Sequence, residues 1–257
     1  MARQIIESPP EVPEGLAALG SPAASRLLDW GRQQSAEGLA DVFGYHAVQA
    51  GWPGYDALAE NRITHRWRAG LEFDRAGSDA DLVFDSRAWP WLAESLDLVV
   101  LPHALERSAD PHVCLREVER VLIPEGQVLI IGLNPWSLWG RALGRESASL
   151  AWPCRPIAPY RLRDWLHLLG FEVRVQRFMG WTPAWRSETW MQRWAWMEGW
   201  GRRWWPALGG AYLMLATKRV VGAHLRLDLG RHALPSRARL ATPVAPLQAP
   251  RSDQPGA

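Results

Sequence analysis

A doubly wound α/β fold with a mostly parallel sheet is predicted for this 257-residue chain by three features of its middle third. Leu98–Leu101 and Gln127–Ile131 are short, continuous apolar runs of the kind shown by fully buried parallel strands. Between them, Val113, Leu115, Val118 and Val121-Leu122 fall mostly on one helical face, while Arg116, Glu117, Glu119 and Arg120 take the others. Breakers sit at each junction. Pro102-His103 interrupts the first run where it should leave the sheet, Asp110-Pro111 offers a cap and a first-turn proline, and Pro124-Glu125-Gly126 makes a tight turn. Strand, helix and strand in this order form a βαβ unit, and repeated units build the sheet.

The remaining elements follow along the chain. Residues 1–21 are rich in Pro and Gly and read as a flexible N-terminus. Ser25–Val42 carries an imperfect apolar stripe (Leu27-Leu28, Trp30, Leu39, Val42) and reads as a helix. Tyr45–Gly51 is the first strand, Ile63–Arg68 the second and Asp81–Phe84 the third. Only 31 positions separate Gly51 from Leu82. Two crossovers of roughly 10–12 residues and a strand of about five barely fit, so the first helix or the second strand is expected to be truncated. Tyr160–Leu169 is a helix with Leu162, Trp165, Leu166 and Leu169 inward, closed by Gly170. Phe171–Phe178 and Ala211–Arg219 are the last strands, and residues 222–257, rich in Ala, Pro and Arg, read as a disordered tail. The main domain is thus 22–221, with a Trp-rich insertion at 181–205.

Composition narrows the class. Hydrophobic residues make up 47% of the chain, enough for a large core, and the net charge of +2 argues for no polyanionic partner. All 29 basic residues except Lys218 are Arg, and they are scattered among nearly as many acids, so nucleic-acid binding has the least support. Cys114 and Cys154 stand alone, without disulfide or zinc spacing, and no metal site is expected. With no signal-peptide core and no apolar run approaching about 18 residues, the expected location is cytoplasmic.

The ordered set DLVVLPHALE, DPHVCLREVERVL and PEGQVLIIG resembles the second half of the class I S-adenosylmethionine-dependent methyltransferases, in particular the small-molecule group typified by quinone-biosynthesis enzymes. Asn134–Gly140 and Arg163–Leu166 are similar to a narrower bacterial subgroup of methyltransferase-like proteins. The resemblance spans roughly Phe43 to Arg219. It implies a Rossmann-like sheet whose last strands are antiparallel, S-adenosylmethionine as cofactor, a small-molecule acceptor and in-line methyl transfer. Such chemistry relies on alignment and water exclusion rather than on an obligatory catalytic side chain.

Carried onto this chain, the resemblance implies a cofactor site at Gly51, Gly54, Asp85, Ser86, Pro102 and His103. The first segment departs from the family pattern. Where the family has an acid followed by Gly-x-Gly-x-Gly, this chain has Gln49-Ala50-Gly51-Trp52-Pro53-Gly54, with an amide for the acid and a proline for the middle glycine. Glu72 and Asp74 are the nearest candidates for the acid that grips the ribose. Asp85 ends the third strand, where the family contacts the adenine amino group, with Trp89 or Trp91 near enough to stack. Asp85-Ser86 is equally a turn-capping pair. His103 emerges at the ligand-binding edge and is the candidate catalytic base, or else a histidine bonded to a neighbouring carbonyl. Glu106 and Asp110 read as solvated or capping. Asn134, Trp136 and Ser137 follow the fifth strand and are candidate acceptor-binding residues, while Asn134-Pro135 also reads as a turn.

Tryptophan is the second distinctive feature: 17 in all, eight of them from Trp181 to Trp205. Trp190, Trp194, Met197, Gly201 and Trp204 recur at helical spacing and predict one apolar stripe packed on its own domain. A lid over an apolar pocket and contact with a membrane surface or partner are the alternatives. The functional expectation is a methyltransferase for a small apolar or aromatic acceptor. The alternative is an inactive relative that binds a ligand or partner through the Trp-rich segment.

Overall fold

The computed structural model describes residues 21–52, 55–71, 80–146, 155–183 and 187–220. The expectations for 1–20, Gly54, Glu72, Asp74, Cys154 and the tail at 222–257 lie outside them. Helix α1 (Ser21–Leu39) precedes strands β1 (His46–Ala50), β2 (His65–Leu71), β3 (Leu82–Phe84) and β4 (Leu96–Pro102). Helix α2 (Pro111–Val121), strand β5 (Leu122–Leu133), helices α3 (Leu138–Glu146) and α4 (Pro159–Leu168) and strand β6 (Phe171–Met179) follow. Two short helices, α5 (Glu188–Arg193) and α6 (Trp196–Trp204), a 3-10 turn (Pro206–Leu208) and β7 (Ala211–Lys218) complete the series.

The seven strands form one sheet in the order β3-β2-β1-β4-β5-β7-β6. The first five run parallel, and β7 inserts antiparallel between β5 and β6. Strand alternation supplies a core to each face. Leu98 and Val100 of β4 join Leu27, Leu39, Leu129 and Leu213 on the α1 side. Val99 and Leu101 join Leu115, Val118, Leu162 and Leu166 on the α2 and α4 side.

Local signals explain most boundaries. Asp110 caps α2, its Oδ1 accepting the N–H of His112 (3.0 Å) and Val113 (3.2 Å). Gly170, at φ +81°, closes α4 in the left-handed conformation that favours glycine. Asp97 Oδ2 accepts the Tyr45 and His46 N–H groups at 2.9 Å each and so anchors the start of β1. Helix α1 lies earlier than the predicted Ser25–Val42, because Asn61 Nδ2 takes up the Leu39 and Val42 carbonyls and ends it. The predicted turn at Pro124–Gly126 is instead an outward excursion within β5. Pairing jumps from Leu96↔Leu122 to Leu98↔Gln127, and Glu125 adopts φ +63°. Among the described residues no helix joins β1 to β2 or β2 to β3, in line with the shortage of residues there.

The Trp-rich stripe is not a single packed helix. It breaks between Arg193 and Trp196, and Trp190 and Trp204 are 50% and 64% exposed. Gly201 is buried beneath the Trp181 ring, which leaves no room for a β-carbon there. The domain therefore meets α6 through glycine rather than through indoles.

Candidate active site

In an open α/β sheet a ligand crevice forms where strand order reverses, and here that point lies between β1 and β4. Gly51 follows β1 with φ +128°, and a β-carbon there would come within 2.8 Å of the Pro102 carbonyl. The loop crosses the switch point directly, Trp52 N–H donating to Pro102 O at 3.4 Å. Gln49, in place of the expected acid, latches this loop. Its Nε2 donates to Trp52 O (3.0 Å) and to Tyr55 O, and its Oε1 accepts from Ala57 N (2.8 Å). An amide can bind both carbonyl and N–H groups, whereas a carboxylate can only accept.

Trp52 and Tyr55 are buried in the crevice beside Leu27, Leu28 and His103. Burial pushes the Tyr55 hydroxyl well above its ordinary pKa, so it stays protonated in its bond with Ser35 Oγ (3.2 Å). The free volume among these side chains is about 10 Å³, room for roughly one water. A nucleoside-sized group does not fit the crevice in this arrangement, because Trp52 and Tyr55 occupy it.

His103 stands immediately after β4 with φ +53°, a strained backbone for a non-glycine residue. Its N–H donates to Ile131 O (2.9 Å), and its Nδ1 lies 3.0 Å from Glu106 Oε2. Glu106 is not solvated as expected: it is 2% exposed, and its second oxygen accepts the Leu133 N–H at the end of β5. A carboxylate oxygen pairs with the imidazole tautomer that carries its proton on Nδ1, and in that tautomer Nε2 is the acceptor. The sequence signal for the pair was the three-residue spacing His103-x-x-Glu106 at a strand exit. Nearby, Tyr212 is held far above its usual pKa by burial and, secondarily, by the Glu106 charge, and it donates to Ile157 O (2.9 Å).

Asp85 and Ser86 follow β3. Asp85 is half-buried and forms a turn, its carboxylate accepting Arg87 N (2.9 Å), Nε (3.1 Å) and Nη2 (3.0 Å). The hydrogen bonds from Arg87 hold its pKa below the usual carboxylate range. Ser86 is buried against Ser108 Oγ (3.1 Å). Trp89 and Trp91 pack on Phe84, with centroids at 5.0 and 5.2 Å, and the Trp89 indole donates to Ser86 O. Neither ring is presented as a stacking platform.

Beyond the C-terminal end of β5, a cavity of about 350 Å³ is lined by Asn134, Trp136, Tyr160, Arg163, Phe178 and Leu208, among others. Its size falls in the range of small-molecule sites. Asn134 also acts as a latch, with Nδ2 donating to Ala207 O (2.8 Å) and Gly209 O (3.0 Å) and Oδ1 accepting Trp136 N (3.1 Å). Ser137 is buried in the turn that starts α3, donating to Asn134 O (2.6 Å) and accepting Gly140 N (2.9 Å). Trp136, 63% exposed, stands at the rim.

Residues 64–130 match the family model of a methyltransferase domain. The uncharacterized protein YafS of Escherichia coli (strain K12) is 29% identical over 181 residues, 64% of this chain and 70% of that protein. Two solved structures share the fold. An S-adenosylmethionine-dependent methyltransferase of Thermotoga maritima has 16% identity and a TM-score of 0.55 over 77% of this chain and 94% of its own. One from Mesorhizobium loti has 15% identity and a TM-score of 0.51 over 74% of this chain and 99% of its own. These matches single out no quinone-biosynthesis subgroup.

Proposed function

We infer that this chain is a class I S-adenosylmethionine-dependent methyltransferase, as the match of residues 64–130 to a methyltransferase domain and the shared fold support, and that it methylates a small apolar or aromatic acceptor. The observation that carries the acceptor class is the cavity beyond β5, walled mainly by Trp136, Tyr160, Phe178 and Leu208, with Asn134, Arg163 and Gln176 among its polar groups. An apolar lining with a few polar anchors selects a flat hydrophobic molecule bearing one polar head. His103 is the candidate base. It lines the switch-point crevice rather than the cavity beyond β5. Glu106 orients the ring, so Nε2 would take a proton from an acceptor atom that reaches that crevice.

Once Trp52 and Tyr55 leave the switch-point crevice, it would have room for S-adenosylmethionine, which would supply the methyl group. The backbone at Gly51 and Pro102 would then form the crevice floor, with Asp85 and Ser86 as further candidate contacts.

Calorimetric titration of S-adenosylmethionine and S-adenosylhomocysteine into wild type, Trp52→Ala and Asp85→Ala tests the reading. The expected result is saturable binding on the order of 100 μM, about −5.5 kcal/mol, tightened at least tenfold by Trp52→Ala and weakened by Asp85→Ala. Absence of binding to both folded wild type and folded Trp52→Ala would overturn it, leaving a chain that shares the fold without the chemistry.

A further inference from the structure

We propose that the outer face of α5, α6 and the 3-10 turn is a docking surface for an anionic lipid bilayer, seated at the headgroup level. Trp196, Trp200, Trp204 and Trp205 are 56%, 61%, 64% and 60% exposed, and none belongs to either core. Clustered exposed indoles of this kind mark an interaction surface rather than a solvated one. Their amphipathic rings prefer the membrane–water boundary.

The segment is fastened to its domain on the opposite side. Gly201 lies under Trp181, whose indole donates to Trp205 O (2.9 Å). Glu198 Oε1 accepts from Thr182 Oγ1 (3.2 Å) and N (3.4 Å), and Asn134 holds the carbonyls of Ala207 and Gly209. These contacts turn the acidic side chain of α6 inward. Among the described side chains, the charges left on the exposed face are Arg193, Arg202 and Arg203, all basic. Indoles interleaved with arginines on short helices are complementary to anionic headgroups above an apolar layer. No described helix is long and apolar enough to cross a membrane, so α6 would lie in the plane of the interface.

The surface continues into the cavity. Pro206, Ala207 and Leu208 line the cavity beyond β5 and belong to the same segment, with Trp136 and Tyr160 exposed at the rim. Resting on the reading of that cavity as the acceptor site, the bilayer is also the source of the acceptor: an apolar molecule dissolved among lipid chains.

The test uses the full chain with phosphatidylcholine vesicles, with and without phosphatidylglycerol, followed by sedimentation and by tryptophan quenching with brominated lipid. The expected result is binding to anionic vesicles that weakens as salt is raised. Trp196→Ser with Trp200→Ser should lower partitioning at least tenfold. Arg202→Gln with Arg203→Gln should lower it on anionic vesicles by about fivefold per arginine and leave neutral vesicles almost unaffected. These positions are exposed, so the thermal midpoint checks that the variants fold. The proposal is overturned if the chain stays in the supernatant, or if binding survives loss of both tryptophans. It is also overturned if ultracentrifugation without lipid shows a dimer that Trp200→Ser dissociates, which would make the face a contact between copies. Vesicle binding needs neither cofactor nor acceptor, so its failure is distinguishable from failure of the methyltransferase reading.

Discussion

Strands β4 and β5 are joined by an eleven-residue helix, capped by Asp110, whose inward residues Cys114, Leu115, Val118 and Val121 are wholly buried. Strands β1, β2 and β3 are joined, among the described residues, without any helix. In their place stand polar latches beside loop residues Trp52, Tyr55, Ala57, Leu58 and Ile63, which join the α1-side core. Gln49 holds Trp52, Tyr55 and Ala57, Arg66 reaches Leu58 O (2.7 Å), and Asp81 accepts Arg68 N (2.7 Å). Apolar burial is non-directional and cumulative, whereas a polar latch contributes about 1 kcal/mol net and can be exchanged for water. One half of the sheet is therefore built to stay folded. The other, which carries the switch-point crevice, buries loop side chains without a connecting helix among the described residues, so local opening there must also expose Trp52, Tyr55 and Leu58.

The largest expected effect tests the apolar half. Leu115→Ala empties a fully buried site on α2 and should cost about 3–4 kcal/mol, read as a lower urea midpoint. Next is the junction between the halves. Glu106→Ala strands both His103 Nδ1 and the Leu133 N–H and should cost about 3 kcal/mol, with Glu106→Gln recovering part of it. Gln49→Leu should cost about 2 kcal/mol and speed hydrogen exchange at Trp52 and residues 55–57 far more than in β5. Uniform acceleration over the whole domain would erase the distinction between the halves.

Smaller effects sharpen the picture. Glu117 is bonded by Arg120 and accepts Trp89 N (3.0 Å), tying the loop after β3 to α2. These hydrogen bonds, Arg120 foremost, hold its pKa below the ordinary carboxylate value. Its contribution is complete above the unfolded-state pKa near 4.3 and is lost as pH falls through the lower folded value. Glu117→Gln should cost about 1 kcal/mol at neutral pH, and the difference from wild type should shrink in acid melts. Asp85→Asn should leave the thermal midpoint unchanged, since its pair with Arg87 is exposed. Only cofactor affinity should move.

The fate of particular residues shows how far local information reached. Asp110 and Gly170 act as cap and closing residue because those roles depend on neighbours two or three positions away. The shortfall between β1 and β3 was also legible, since chain length limits what a crossover can contain. Gln49 was noticed as a lost acid, but its use as a two-way latch depends on a loop fold that the residue types do not specify. Trp190 and Trp204 matched a helical period and were expected inside. Periodicity identifies a face without saying what covers it, and the domain covers the Gly201 side instead.

Local chemistry is short-ranged, and so strand runs, helix faces, turn residues and the parallel-sheet class follow from the amino-acid order alone. Which distant groups meet does not. Glu106 finds Leu133, Trp52 bridges to Pro102, and Asn134 gathers Ala207 and Gly209. Those encounters are set by strand order and by the antiparallel insertion of β7, which bring segments far apart in the chain to one edge of the sheet. That closes the crevice, buries the His103–Glu106 pair and turns the indoles outward, because each buried polar group must find a partner only the assembled sheet can supply.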